Sequence, residues 1–161
     1  MFTVASAGDH IVVCRVKKGY NRVTTEASLM DWKVTLMDDV GIMRVALSGD
    51  FAVDRYEPML AEVTSRMDFQ PGMPILVDDR EMNVANVQAQ EIERCSQVFA
   101  SFGEKLAGAR FAILANSVVQ FGLARQFQSL AEAKGAQPPR VFTREPDAVE
   151  WLLARAGSNP D

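Results

Sequence analysis

Met73-Pro-Ile-Leu-Val77 is a short apolar run followed by helix-patterned sequence. Phe111-Ala-Ile-Leu-Ala115 and Arg140-Val-Phe142 repeat the arrangement, and a last helical stretch carries Trp151. Continuous apolar runs of this length mark strands buried on both faces, and the helical stretches between them are the crossovers that parallel neighbours require. The rhythm predicts an α/β fold: a single domain with a mostly parallel sheet covered by helices.

Upstream, Trp32–Met37 alternates, Asp38-Asp-Val-Gly41 has turn composition, and Ile42–Leu47 alternates again. That is a hairpin signature, so the sheet is expected to be mixed, with four or five strands. Val53, Tyr56, Leu60, Val63 and Met67 recur at steps of three and four, one face of a helix stopped by Phe69-Gln-Pro-Gly72. A strand ending at Asp78 is expected next, then a long helix with Val84, Val87, Ile92, Cys95, Phe99, Phe102 and Leu106 on one side. Asn116 and Ser117 are both suitable caps for a helix whose face is Val119, Leu123, Phe127 and Leu130. Thr143 would cap a last helix that tolerates Pro146 in its first turn. About four helices result. The expected core comprises Val45, Leu47, Leu60, Leu76, Val77, Phe99, Ile113, Leu114, Leu123, Phe127, Val141 and Leu152.

Three segments follow. Residues 1–29 are an N-terminal extension of unassigned structure, with one strand signal at Ile11–Val16 and Met30 as an alternative start. Residues 30–156 form the α/β domain, and residues 157–161 a frayed polar tail.

Composition narrows the function classes. The formal charge of -4 and a pI near 5.1 lack the basic excess of a nucleic-acid binder. Residues 1–29 carry a local net of +2, which leaves -6 on the rest, a surface that anionic lipid repels unless a basic patch intervenes. Cys14 and Cys95 lie in apolar patterns and form neither a metal motif nor a disulfide framework. No apolar run approaches the ~18 residues needed to span a bilayer, and the N-terminus lacks the order of a signal peptide. A cytoplasmic location with at most peripheral membrane contact is expected.

Four stretches together carry a likeness: Leu47-Ser-Gly-Asp-Phe51, Ile75-Leu-Val-Asp-Asp-Arg80, Phe121-Gly-Leu-Ala-Arg-Gln-Phe127, and Val141-Phe142 with Ala148-Val-Glu-Trp-Leu152. In order and spacing the chain resembles the small bacterial SpoIIAA-like proteins, domains of STAS/CRAL-TRIO type, from about Trp32 to Leu153. The resemblance implies a STAS-like mixed sheet of four or five strands with helices packed around it. It also implies two functional precedents: modules that bind protein partners in phosphorylation switches, and domains that hold an apolar ligand. The switch requires a Ser or Thr at the start of the helix after the strand at Ile75–Val77. None occurs between Arg66 and Cys95, and the matching loop, Asp79-Arg-Glu-Met-Asn-Val84, has no acceptor hydroxyl. A phospho-switch at that place is excluded on chemical grounds.

Asp78-Asp79-Arg80-Glu81 is the densest charged cluster, and its expected place is a strand end, where open α/β sheets bind ligands. It is either a solvated turn, with Asp78 bonding nearby amides and Arg80 paired to a carboxylate, or a set of carboxylates for acid–base work or a hard cation. Asn116 and Ser117 occupy the equivalent edge after the next strand, as caps or as donors to a ligand headgroup. Arg125 suits a structural salt bridge or an anion site. The eight methionines fill core gaps or line an adaptable surface. Trp151 is expected to anchor the last helix against the sheet. His10 is the only histidine and lies far from any nucleophile elbow, which argues against a histidine-based triad, and phosphate-binding glycine loops are absent.

No cofactor or metal is expected. The residues point to a non-catalytic regulatory or binding module for a small apolar ligand or lipid, or for a protein partner or second copy. The ligand-binding candidates are Tyr56, Met59, Asp78, Arg80, Met82, Asn116, Ser117 and Arg125. An apolar ligand would lie between the first helix, around Tyr56, Met59, Leu60 and Val63, and the strand edge near Asp78 and Asn116. The alternative is a small enzyme using the polar edge around Asp78 and Asn116.

Overall fold

The computed structural model describes residues 4–6, 11–13 and 28–154. Strands β1 (Val4–Ser6) and β2 (Ile11–Val13) pair antiparallel by themselves. His10, Cys14, the continuation of the expected strand to Val16 and the tail at 157–161 lie outside the described residues.

The main sheet has the order β3-β4-β5-β6-β7. Strands β3 (Asp31–Met37) and β4 (Ile42–Asp50) form the antiparallel hairpin, joined at Asp38–Gly41. Strands β5 (Ile75–Asn83), β6 (Phe111–Leu114) and β7 (Arg140–Phe142) then add in parallel. The apolar rhythm and the hairpin signature predict a mixed, mostly parallel sheet of four or five strands, and it has five. Helices α1 (Tyr56–Ser65), α2 (Ala89–Ser101) and α4 (Val118–Ala133) contribute to the larger apolar cluster on one face, and the single turn α3 (Gly103–Leu106) adds Leu106. Helix α5 (Glu145–Leu153) covers the other face, where Ile42, Leu76, Ala112, Leu114, Ala148 and Leu152 form a second cluster. Trp151 packs there against Phe142, with the Arg110 guanidinium 4.1 Å above its ring.

Several elements differ from expectation. β5 does not end at Asp78 but runs to Asn83, so the expected long helix loses its first turns. Asn83 Oδ1 accepts from Ala85 N in an Asx-type turn, and Gln88 opens α2 with a capping box to Glu91. Val84 and Val87 pack on the core from a loop rather than a helix. The helix breaks again at Phe102 before α3. In α4 the buried face is Gln120, Ala124, Phe127 and Ala131, with Val119 exposed and Leu123 and Leu130 half-buried. Of the expected core, Val77, Leu123 and Val141 are only partly buried, and the other nine residues are buried.

The segment before β3 is tied to the sheet. Ser28 O accepts from Asp50 N at 2.7 Å, Leu29 bridges to Asp50, and Met30 is buried. Gly49 makes this approach possible: its φ is +79°, and a Cβ there would stand 2.4 Å from Leu29 O. Gly49→Ala is therefore expected to lower stability by about 2 kcal/mol, combining strain with a lost backbone contact. Urea unfolding of the two proteins tests this, and equal midpoints would refute the close packing of Leu29 on Gly49.

Candidate functional site

Because successive strand residues point to opposite faces, β5 sends Ile75, Val77 and Asp79 under the helices and Leu76 and Asp78 toward α5. The register then slips: Ala46 faces Asp78 and Ser48 faces Glu81, so β5 takes three steps where β4 takes two. After this bulge Met82 returns to the helix side. β6 pairs only with Ile75–Asp78, which leaves the later carbonyls of β5 without a strand neighbour on that side. Side chains from the start of α4 serve them instead. Gln120 Nε2 donates to Asp79 O at 2.8 Å and Met82 O at 2.9 Å, and Asn116 Nδ2 donates to Arg80 O at 3.1 Å. Ser117 is the N-cap of α4, accepting from Gln120 N, and Gln120 Oε1 accepts from Asn116 N. Asn116 and Ser117 thus hold the architecture of this edge, with Gln120 as a buried partner that its position among apolar periods concealed.

A hollow of about 80 Å³ lies between β4, β5 and β6 and helices α1, α2 and α4. Its walls include Val45, Leu47, Met59, Leu60, Val77 and Phe127, and Phe99 stacks edge-on against both Phe111 and Phe127 behind them. Val77 is half-buried in the middle of the central strand, as the space above it requires. Polar groups in the wall are few: Tyr56, Cys95, Gln120 and Asp79. Burial pushes the Tyr56 phenol well above its ordinary range and the Cys95 thiol up to about 12, so both stay protonated at neutral pH. A second hollow of about 300 Å³, between α3 and the turn after α4, has no titratable side chain in its lining.

Asp79 is the anomaly. Its Oδ1 is sealed from solvent and has no hydrogen-bond partner among the described residues. Burial first, then the charge of neighbouring Asp78, raises its carboxyl to about 7. Holding a carboxyl this far above 3.8 corresponds to about 4 kcal/mol against the ionised form.

Asp78, on the opposite face, is fully engaged. Arg80 donates to it through Nε and Nη2, both at 2.8 Å, and Arg44 Nη2 at 2.5 Å. Glu145, at the start of α5, accepts from Arg44 Nη1 at 2.6 Å and Arg80 Nη2 at 3.0 Å. The arginines hold both carboxyls below their usual range, Arg80 contributing most at Asp78 and Arg44 at Glu145. Asp78 and Arg80 therefore form a structural ion-pair ring joining β4, β5 and α5, away from the hollow. Arg80 N also donates to Asp78 Oδ1 at 3.3 Å, the local amide bond expected of a turn. Arg125 is exposed and bonds Gln128 at 3.0 Å, with no carboxylate partner among the described residues. Of the sequence-derived candidates, the hollow brings together Tyr56, Met59 and Met82, while Asp78, Arg80, Asn116, Ser117 and Arg125 stand elsewhere. Asp79 was hidden by the expectation that the strand stops one residue earlier. Continuing the period of two from Ile75 and Val77 would have placed it inside.

No protein-family model and no curated protein matches the chain. Among solved structures it is similar to an uncharacterised protein of the DUF3478 family with a SpoIIAA-like fold from Shewanella loihica PV-4. The TM-score is 0.52 at 14% identity, over 82% of this chain and 99% of that one. The fold is accordingly SpoIIAA-like. No helix among the described residues is long and apolar enough to cross a membrane, and no group of His, Cys, Asp and Glu among them is arranged to hold a metal.

The two adjacent aspartates drive stability in opposite directions with pH. Asp78 and Glu145, held low, stabilise the fold above the unfolded carboxylate range, and that contribution is lost as pH falls through their folded values. Asp79, held high, keeps its proton while the unfolded chain ionises, so stability falls from about pH 4 to about 7 and is level above. Denaturant unfolding should show a loss of about 2 kcal/mol between pH 5 and 7.5 in the parent protein, and Asp79→Asn should remove it. A slope that survives in that variant would contradict the burial of Asp79. Asp78→Ala, by contrast, should cost about 2–3 kcal/mol at pH 7, because it strands two arginines in the ring; an unchanged melting temperature would deny the ring a structural role.

Proposed function

We propose that the protein is a non-catalytic binding module that takes a small, largely apolar molecule into the hollow between α1, α2, α4 and the sheet. The observation that carries this reading is the union of an apolar interior space with one unpartnered carboxyl, the usual composition of a small-molecule site. Met30, Met59 and Met82 line it, and their unbranched side chains let the walls adapt to shape. At about 80 Å³ the space is well below the roughly 300–1,000 Å³ of drug-sized sites, so a short chain or single ring suits it better than a whole lipid. A regulatory role would then mean reporting on such a molecule. A phospho-switch at the start of α2 lacks an acceptor hydroxyl, since the loop that precedes it, residues 84–88, also has no Ser or Thr.

A protein partner is the second reading, supported by Val118, Val119 and Phe121, which stand exposed together at the start of α4. The enzyme reading at the Asp78–Asn116 edge has less support. Asp78 is committed to Arg44 and Arg80, and the Asn116 amide to a backbone carbonyl, so neither is free to move a proton.

Methyl signals of Met59 and Met82 offer a direct test. Titration with n-butanol should shift both in the parent protein. Ala124→Leu, which places a larger side chain in the wall, should abolish the shifts while raising stability by about 1 kcal/mol. Unresponsive methionines in the parent, or destabilisation by the larger side chain with butanol binding intact, would rule the hollow out as a binding site.

A further inference from the structure

Building on the proposal that the hollow is a binding site, we infer that its occupant is a small organic cation, a short alkyl chain or ring bearing a protonated amine, whose ammonium pairs with Asp79. The hollow supplies apolar wall nearly everywhere, which selects a hydrocarbon body. Its only carboxyl is Asp79, a half-buried residue whose Oδ1 is sealed from solvent and has no donor among the described residues. A carboxylate that lines an apolar space and has no donor is the arrangement that an incoming N–H group corrects.

The surroundings decide the sign of the charge. Around Asp79 the titratable groups are Tyr56 from α1 and Cys95 from α2, both neutral at physiological pH, and Asp78 beside it on β5. Glu91 and Arg94 of α2 act on Cys95 with opposite effect. From α4 the wall offers the Gln120 amide, whose two donors already serve Asp79 O and Met82 O. Arg44 and Arg80, which could have neutralised a second carboxylate, are consumed by Asp78 and Glu145 on the far face. Nothing in the hollow would welcome an anion, so a fatty acid or organic phosphate meets only repulsion once Asp79 ionises. A neutral alcohol could donate one hydrogen bond. An ammonium donates as well and adds charge attraction in a low-dielectric space. Its own dehydration opposes binding, but the corresponding cost for Asp79 has already been met in folding.

Because the paired state needs an ionised Asp79, binding is linked to pH. With the carboxyl near 7, the ionised fraction falls about tenfold from pH 8 to pH 6, and the apparent affinity for an amine should fall with it. The affinity for an alcohol should change much less.

The experiment compares n-butylamine, n-butanol and n-butyrate on the full chain by methionine-methyl NMR titration, at pH 8 and pH 6. At pH 8 the amine is expected to bind about tenfold more tightly than the alcohol, with butyrate weakest. Its advantage should shrink about tenfold at pH 6 and disappear in Asp79→Asn. The parent protein's own amine-to-alcohol ratio and its pH dependence decide the matter even if that variant fails to fold. Butanol binding with no amine preference at pH 8, or a preference that persists in Asp79→Asn, overturns this inference and leaves the apolar site standing. Failure of all three probes to bind removes both.

Discussion

Two neighbouring carboxylates sit on the central strand, and the pleat of β5 compels them to opposite faces of a sheet covered by helices on both sides. Neither face can tolerate a bare charge. Asp78 is matched on its side by Arg44 from the next strand, Arg80 from the same strand and Glu145 from α5, so one ring of ion pairs ties three elements and leaves no net charge. Asp79 receives no comparable partner on the other side. The asymmetry organises the molecule: the face under α5 is closed and polar at its rim, and the face under α1, α2 and α4 retains a space with a carboxyl in its wall.

The bulge on β5 is what brings the charged run Asp78–Glu81 into a strand at all. β6 is four residues long and stops opposite Asp78, so a continuing β5 would expose carbonyls to a buried environment. Gln120 and Asn116 accept that task with side-chain amides, and Ser117 fixes the helix end from which they reach. The start of α4 is therefore spent on the β5 backbone, and this explains why its buried face begins with a glutamine and leaves Val118 and Val119 outside.

Much of the fold was legible in the sequence because it rests on strong local signals. The runs at Ile75–Val77 and Phe111–Leu114 and the turn at Asp38–Gly41 announce buried strands and a hairpin whatever else surrounds them. The hollow was half legible: the period of the first helix put Tyr56, Leu60 and Val63 on one face, the expected cleft added Met59, and all four line it, whereas Met67 at the end of that period is exposed. What failed were the places where a tertiary contact outweighs a local preference. Four charged residues in a row have turn composition, and the ladder to β4, together with Gln120 and Asn116 from some 40 residues later, makes them strand. Val84 and Val87 keep helical spacing yet pack from a loop, because the Asn83 turn and the Gln88 cap delay α2. The first of these errors moved the candidate carboxyl by one residue, and one residue on a strand is a change of face.

That displacement matters for how the site is understood. Had Asp78 faced the hollow, its two arginines would have come with it, and the space would have held a neutral ring with no capacity to bind a charge. With Asp79 there instead, the fold carries a local cost that packing alone does not justify: an apolar residue of similar size would remove the penalty. The bulge, the saturated Gln120 and the far-side ring each have a structural reason that closes within the chain. The Asp79 carboxyl does not, since no donor among the described residues reaches its inner oxygen. A buried acceptor that the folded chain leaves unanswered, at the wall of an apolar space, is the feature of this molecule that calls for a partner from outside it.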